Sequence, residues 1–151
     1  MLRLALYQPD IPQNLGTNLR TAACFGIEID IIEPCGFAFD DKKFRRAGMD
    51  YIDLVKYTRH NSWQNFVETT EKQELRIILL SSKAKTVYTD FSFKNNDILL
   101  LGRETAGIPK EVIDYCGENA VTIPMQPGLR SLNVAVAGAI VVSEALRQLK
   151  V

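Results

Sequence analysis

The segments Leu75–Leu80 and Asp97–Leu101 constrain this chain most, because each ends in four consecutive apolar residues. Successive side chains of a strand point to opposite faces, so a strand with one wet face alternates apolar and polar residues. Ile77–Leu80 and Ile98–Leu101 do not alternate. Such runs suit a parallel sheet covered by helices on both faces.

The remaining segments supply those helices. Leu2–Tyr7 reads as a strand, Gln8–Pro12 as a proline-broken loop, and Asn14 as the cap of a helix running to about Phe25 and closed by Gly26. Ile29–Ile32 is a short strand, Asp40–Ala47 a basic helix ended by Gly48, and Tyr51–Tyr57 strand-like. Ser62 caps a helix from Trp63 to about Lys72, with Trp63 and His60 as packing residues. Pro109–Cys116 is a short helix with proline in its first turn, Ala120–Ile123 a last strand, and Leu132–Leu149 the final helix. Lys83–Asn96 reads as a small strand or a packed aromatic loop. Alternating strands and helices give an α/β fold with a mostly parallel sheet. With no linker or repeat, residues 1–151 are expected to form one domain. Val134–Val142 is apolar on every side, so the start of the final helix is expected inside a core or a subunit interface.

Composition excludes several classes. Eighteen basic residues balance eighteen acidic ones, which argues against a generic nucleic-acid coat but leaves room for a local patch such as Lys42, Lys43, Arg45 and Arg46. A solvated helix face explains that patch equally well. Three cysteines without paired spacing and one histidine give neither a disulfide framework nor a zinc set, so no metal is expected. The N-terminus shows no signal peptide and no run reaches the roughly 20 residues of a membrane span, so a cytoplasmic setting without membrane attachment is expected.

Three segments can carry chemistry. Gly102-Arg103-Glu104-Thr105-Ala106-Gly107-Ile108-Pro109 follows a strand and opens a helix, the place where parallel α/β sheets bind ligands. Ile123–Asn133 repeats this design: a rigid, turn-rich loop leads into the final helix, and Ser131 or Asn133 can cap it. In Pro12–Arg20, Asn14 and Asn18 share one helix side, and Arg20 lies about two positions round from Asn18. Each has a bland reading as an ordinary strand–loop–helix joint or a cap. Capping does not readily explain Arg130, Ser131 and Asn133 together beside an apolar helix.

Taken in order with Arg45–Tyr51 and His60–Phe66, these segments resemble the SPOUT superfamily of knotted methyltransferases. The nearest likeness within it is to the TrmL-type tRNA 2′-O-methyltransferases, which modify the wobble nucleotide, position 34. The resemblance implies a deep C-terminal trefoil knot, a homodimer, and S-adenosylmethionine as methyl donor held in the knot without a metal. It implies Leu80, Gly102, Ile123, Met125, Ser131 and Leu132 as donor contacts, Arg20 as catalytic residue, and Asn14, Glu104, Ser131 and Asn133 as its helpers. The tRNA anticodon stem-loop is the implied partner, with Arg20, Lys42, Lys43, Arg45, Arg46, Arg103 and Arg130 as candidate RNA contacts. Arg103 departs from the family pattern, in which many relatives carry proline. Two alternatives fit the same residues: a 2′-O-methyltransferase of this fold acting elsewhere on tRNA or rRNA, or a non-catalytic RNA-binding protein of this fold.

Overall fold

The computed structural model describes residues 1–40, 42 and 50–150. In chain order the elements are β1 (Arg3–Tyr7), α1 (Pro12–Phe25), β2 (Glu28–Ile32), a 3-10 turn (Asp50–Asp53), β3 (Tyr57–His60), α2 (Trp63–Lys72), β4 (Arg76–Leu80), β5 (Thr86–Val87), a second 3-10 turn (Tyr88–Asp90), β6 (Asp97–Leu101), α3 (Lys110–Cys116), β7 (Ala120–Thr122) and α4 (Val134–Leu149). Among the described residues seven strands form one sheet in the order β3-β2-β1-β6-β4-β7-β5, and every pairing is parallel. The expected α/β class is borne out.

The apolar runs do what their pattern demands. Leu99 and Leu101 point into a core shared with α1 and α4, around Leu15, Leu19, Val141 and Val142. Ile98 and Leu100 point into a second core, around Phe66, Val67 and Val112 of α2 and α3. Leu4 and Leu6 against Ala5 and Tyr7 repeat that split in β1.

Two clusters of polar contacts tie the strands together, one at the first residues of β4 and β6 and one running from the first residue of β1 through β2 to the last residue of β3. Arg76 grips Asp97 through Nε and Nη2 at 2.7 and 2.8 Å, joining the first residues of β4 and β6. Asp30 accepts from Arg3 Nη2 at 2.9 Å and meets His60 Nε2 at 2.7 Å, tying β1, β2 and β3 together. Removing one member of such a cluster strands a buried charge, so these pairs fix register more than they add net stability.

Several boundaries differ from expectation. Helix α1 starts at Pro12 and Ile11 is its N-cap, so Asn14 is not a cap but a buried residue of the first turn. Proline suits that first turn because its missing N–H has no helical partner there. Tyr51–Tyr57 is not a strand: Ile52 and Val55 are buried three residues apart while Leu54 is exposed, which is the spacing of a turn. The strand lies one segment later, where Tyr57–His60 pairs with Ile29–Ile32. Ser62 does cap α2, accepting from Asn65 N–H at 3.1 Å. Thr86–Val87 supplies the small strand, and Phe91 packs edge-on against Phe93. The expected helix Asp40–Ala47 falls on residues outside those described, apart from Asp40 and Lys42.

Helix α4 begins at Val134, capped by Asn133 rather than Ser131. Its inner side, Ala135, Gly138, Val141, Val142 and Ala145, is buried. Val136 on the outer side stays half exposed, so within one chain the helix is not buried all round. Gly138 permits the close approach to the sheet, since a Cβ there would lie 2.7 Å from Leu101 Cδ1 and 3.5 Å from Asn18 Oδ1. Overpacking a filled core costs about 1–3 kcal/mol. Gly138→Val is therefore expected to lower the urea midpoint by an amount worth about 1–3 kcal/mol, despite valine's better helix propensity. An unchanged midpoint would show that this approach is not tight.

Candidate active site

Because all strands run parallel, their carboxyl ends meet at one edge. Leu80 pairs with Leu101 across β4 and β6, and Leu80 with Val121 across β4 and β7. The chain leaves the sheet just beyond these three places, as Ser81–Lys83, Gly102–Ile108 and Ile123–Asn133. The three loops and the starts of α1 and α4 enclose a cavity of about 600 Å³. That lies within the usual range for small-molecule sites.

Every expected donor contact lines this cavity: Leu80, Gly102, Ile123, Met125, Ser131 and Leu132. So do Asn14, Glu104, Asn133, Arg103 and Arg130. Arg20 does not. It sits exposed on α1 with its guanidinium 5.1 Å from the centre of the Tyr51 ring. Lys42 is exposed and lies outside the cavity lining. Lys43, Arg45 and Arg46 lie outside the described residues.

A hydrogen-bonded chain organises the wall. Asn133 Oδ1 accepts from the N–H groups of Ala135 and Val136 at 2.9 and 3.2 Å, capping α4. Its Nδ2 donates to Asn14 Oδ1 at 2.9 Å. Asn14 Nδ2 donates in turn to Glu104 Oε1 at 3.2 Å. One residue of each loop–helix joint is thus tied to the next, which the three bland readings taken separately do not provide.

The Gly102–Pro109 loop is closed by its own side chains. Arg103 Nε donates to Gly107 O at 3.0 Å and Nη1 to Gln8 Oε1 at 3.3 Å, with the guanidinium 5.5 Å from the centre of the Tyr7 ring. Arginine thus braces by bonding a loop that proline would brace by covalent restriction. Gly107 takes φ +65°, the left-handed bend that glycine allows. Gly102 serves packing: a Cβ there would lie 2.8 Å from Ile108 Cγ1, so the space beside it belongs to Ile108.

Burial is the main force raising the Glu104 carboxyl above its ordinary pKa, and the neighbouring Asp10 carboxyl adds to it. The contact with Glu104, followed by burial acting in the opposite sense and the Thr105 hydroxyl, leaves Asp10 below its ordinary value. Glu104 is therefore the member of the pair that keeps a proton longer as pH rises.

The cavity also takes in Ser81, Ser82 and Lys83, which were not among the residues expected at the site. Applying the strand-end rule to β4 as well as to β6 and β7 would have found them. Among the described residues, the one backbone hydrogen bond within Met125–Leu132 is Leu129 N–H to Gln126 O, at 3.4 Å. Of that loop, Met125, Arg130, Ser131 and Leu132 line the cavity. Among the described residues no cluster of His, Cys, Asp and Glu is placed to hold a metal ion.

Fold and site together define an α/β protein with a preformed small-molecule pocket at the carboxyl edge of a parallel sheet, bordered by a helix that carries an exposed arginine. Comparison with known proteins places it within that class. Residues 1–143 match the SpoU rRNA Methylase family, and the chain belongs to that family. It is 56% identical over 145 residues to a tRNA (cytidine(34)-2'-O)-methyltransferase of Beijerinckia indica, covering 96% of this chain and 90% of that one. A solved structure described as "Structural insights into the 2-OH methylation of C/U34 on tRNA" superposes with a TM-score of 0.90 at 39% identity, over 99% of this chain and 97% of that one. The AdoMet-bound rRNA methyltransferase of Sinorhizobium meliloti superposes with a TM-score of 0.85 at 27% identity, over 98% of this chain and 56% of that one. These likenesses bear out the expected SPOUT methyltransferase fold, with its knot.

Asn133 has two separable jobs. Asn133→Ala removes both the cap and the Asn14 bond and is expected to cost about 1–2 kcal/mol in chemical denaturation. Asn133→Asp keeps the capping oxygen but loses the Nδ2 donor. It is expected to retain most of the stability and still weaken ligand binding, measured by calorimetry. Equal stability losses in the two variants would show that the cap is not what Asn133 contributes.

Proposed function

We propose that this protein transfers a methyl group from S-adenosylmethionine to the ribose 2′-hydroxyl of the wobble nucleotide, position 34, of tRNA, cytidine or uridine. In this reading the whole chain acts as one domain, and the enzyme is a cytoplasmic homodimer. The observation that carries the reading is the cavity enclosed by the ends of β4, β6 and β7. It stands in a chain more than half identical to a protein named for cytidine-34 2′-O-methylation. The family's name mentions rRNA, but the chain is 56% identical to a tRNA wobble methylase and 27% identical to the rRNA methyltransferase of Sinorhizobium meliloti, and this favours tRNA over the rRNA alternative.

The residues fit the donor. Leu80, Ile123, Met125 and Leu132 would give the donor apolar walls, and Gly102 and Ser131 would hold it from the same cavity lining. When bound, the donor supplies a methyl group on a positively charged sulfur, and the work left to the protein is alignment and exclusion of water. Asn14, Glu104 and Asn133 hold the walls in register. Arg20 is a poor proton acceptor, because the arginine guanidinium stays protonated. Its proposed role is to hold a substrate phosphate that takes the 2′-hydroxyl proton. Arg103 and Arg130 stand at the cavity and can meet RNA there, Arg103 with the donors left over from its bonds to Gln8 and Gly107. Lys42, Lys43, Arg45 and Arg46 remain the second proposed RNA patch.

Arg20 stands outside the pocket of its own chain, and this supports the dimer. The outer side of α4, with Val136, Ala139 and Ile140, forms an exposed groove with Thr17 and Thr21 of α1. Pairing two chains through that groove would cover the apolar half of α4 and bring Arg20, on the same helix as Thr17 and Thr21, into the interface. Among the described residues no helix is long and apolar enough to cross a membrane.

The test is methylation of unfractionated tRNA with methyl-labelled donor, followed by nucleotide mapping. Label is expected as a 2′-O-methyl at position 34; label on a base or elsewhere would overturn the assignment. Replacing one charge-stabilising group costs about 10²–10³ in kcat. Arg20→Ala is expected to fall in that range with donor affinity unchanged, and full activity would remove it from the reaction.

A further inference from the structure

Asp10, in the loop between β1 and α1, is not among the residues given a role above. Its Oδ1 accepts from Glu104 N–H at 3.3 Å, and its own N–H donates to Glu104 Oε2 at 3.0 Å. The Thr105 hydroxyl donates to Oδ2. Two acidic residues 94 positions apart thus hold each other's backbone. A solvated aspartate in a turn would do none of this. The pair is also braced from behind. Gly36 N–H donates to Pro9 O at 2.9 Å, and a Cβ at residue 36 would lie 2.5 Å from Asp10 Cβ. Only a glycine there leaves Asp10 its place.

The other oxygen of Glu104 continues the chain, through Asn14 to Asn133 and the start of α4. Asp10 therefore stands at the end of a line of bonds that crosses the site from the β1–α1 loop to the final helix. What it fixes directly is the segment Glu104–Thr105 inside the Arg103–Gly107 wall. It does not line the cavity.

We propose that Asp10 is a positioning residue for the methyl donor: it holds the Arg103–Gly107 wall in its binding position through Glu104 and Thr105. This rests on the reading of the cavity as the S-adenosylmethionine site. Donor affinity then depends on Asp10 although Asp10 does not touch the donor. Binding of tRNA, which would rest mainly on the exposed face of α1 and its arginine and only in part on Arg103, depends on it less.

The experiment compares wild type, Asp10→Ala, Asp10→Asn and Gly36→Ala. Calorimetry gives the Kd for S-adenosylmethionine, steady-state assays give separate KM values for donor and tRNA, and thermal melts are run without ligand. Asp10→Ala is expected to raise the donor Kd and KM about tenfold, equivalent to about 1.4 kcal/mol. The tRNA KM should rise less than the donor KM, and the kcat at saturating donor and the unliganded Tm should stay near wild type. Asp10→Asn keeps an oxygen for the Glu104 N–H and should stay within about threefold of wild type. Gly36→Ala keeps the carboxylate but displaces it, and should shift donor binding in the same direction as Asp10→Ala. Wild-type donor binding with an unaffected Asp10→Ala variant would overturn the proposal and leave the pocket reading intact. A fall in Tm with kcat and both KM values damaged together, or failure of the variant to fold, would overturn it in favour of a structural role. No donor binding by the wild type would overturn the pocket reading, and this proposal with it.

Discussion

The side-chain amide of Asn133 joins the start of α4 to the start of α1, and the rest of the site is arranged around that junction. Its oxygen satisfies two N–H groups that the first turn of α4 leaves open. Its nitrogen turns to Asn14, which passes the constraint to Glu104. Three segments far apart in sequence are held at one edge of the sheet by bonds that an amide can make and a carboxylate cannot, because both a donor and an acceptor are needed at each asparagine. The buried ion pairs Arg76–Asp97 and Arg3–Asp30–His60 sit elsewhere, at the first residues of β4 and β6 and across β1, β2 and β3. Register between β4 and β6 is thus fixed at the end opposite the one that must stay open to a ligand.

Much of the fold could be read from periodicity. Runs such as Ile98–Leu101 admit few arrangements other than a strand buried on both sides, and Ser62 announced α2 by its capping chemistry. The failures have physical causes. Asn14 has the composition of a cap, but Pro12 already starts the helix, and the asparagine is drawn inward by partners 90 and 119 residues away that no local pattern reveals. Ile52 and Val55 looked like strand residues because apolar residues close together do not tell a short turn from a strand.

The site was legible in part. The rule that ligands meet parallel sheets at carboxyl ends located Gly102–Pro109 and Ile123–Asn133. Family likeness then named contacts that all line one cavity. What local sequence could not show is which side chains face each other. The reciprocal hold of Asp10 on Glu104, the seat of Ile108 over Gly102 and the use of Arg103 as a loop brace are all long-range or packing facts. Arg20 marks the limit from the other side. Its helix was read correctly but for the start, yet one chain places it away from the cavity, and the proposed dimer is what would bring it to one.

Gly102–Ile108 and Met125–Asn133 are proposed as the two walls of an S-adenosylmethionine pocket. Amide hydrogen exchange of the full chain, with and without the donor, tests this assignment most directly. Donor-dependent slowing of exchange is expected in both segments, with β2 and β3 unchanged. Slowing confined to other segments, or exchange unaltered by saturating donor, would contradict it.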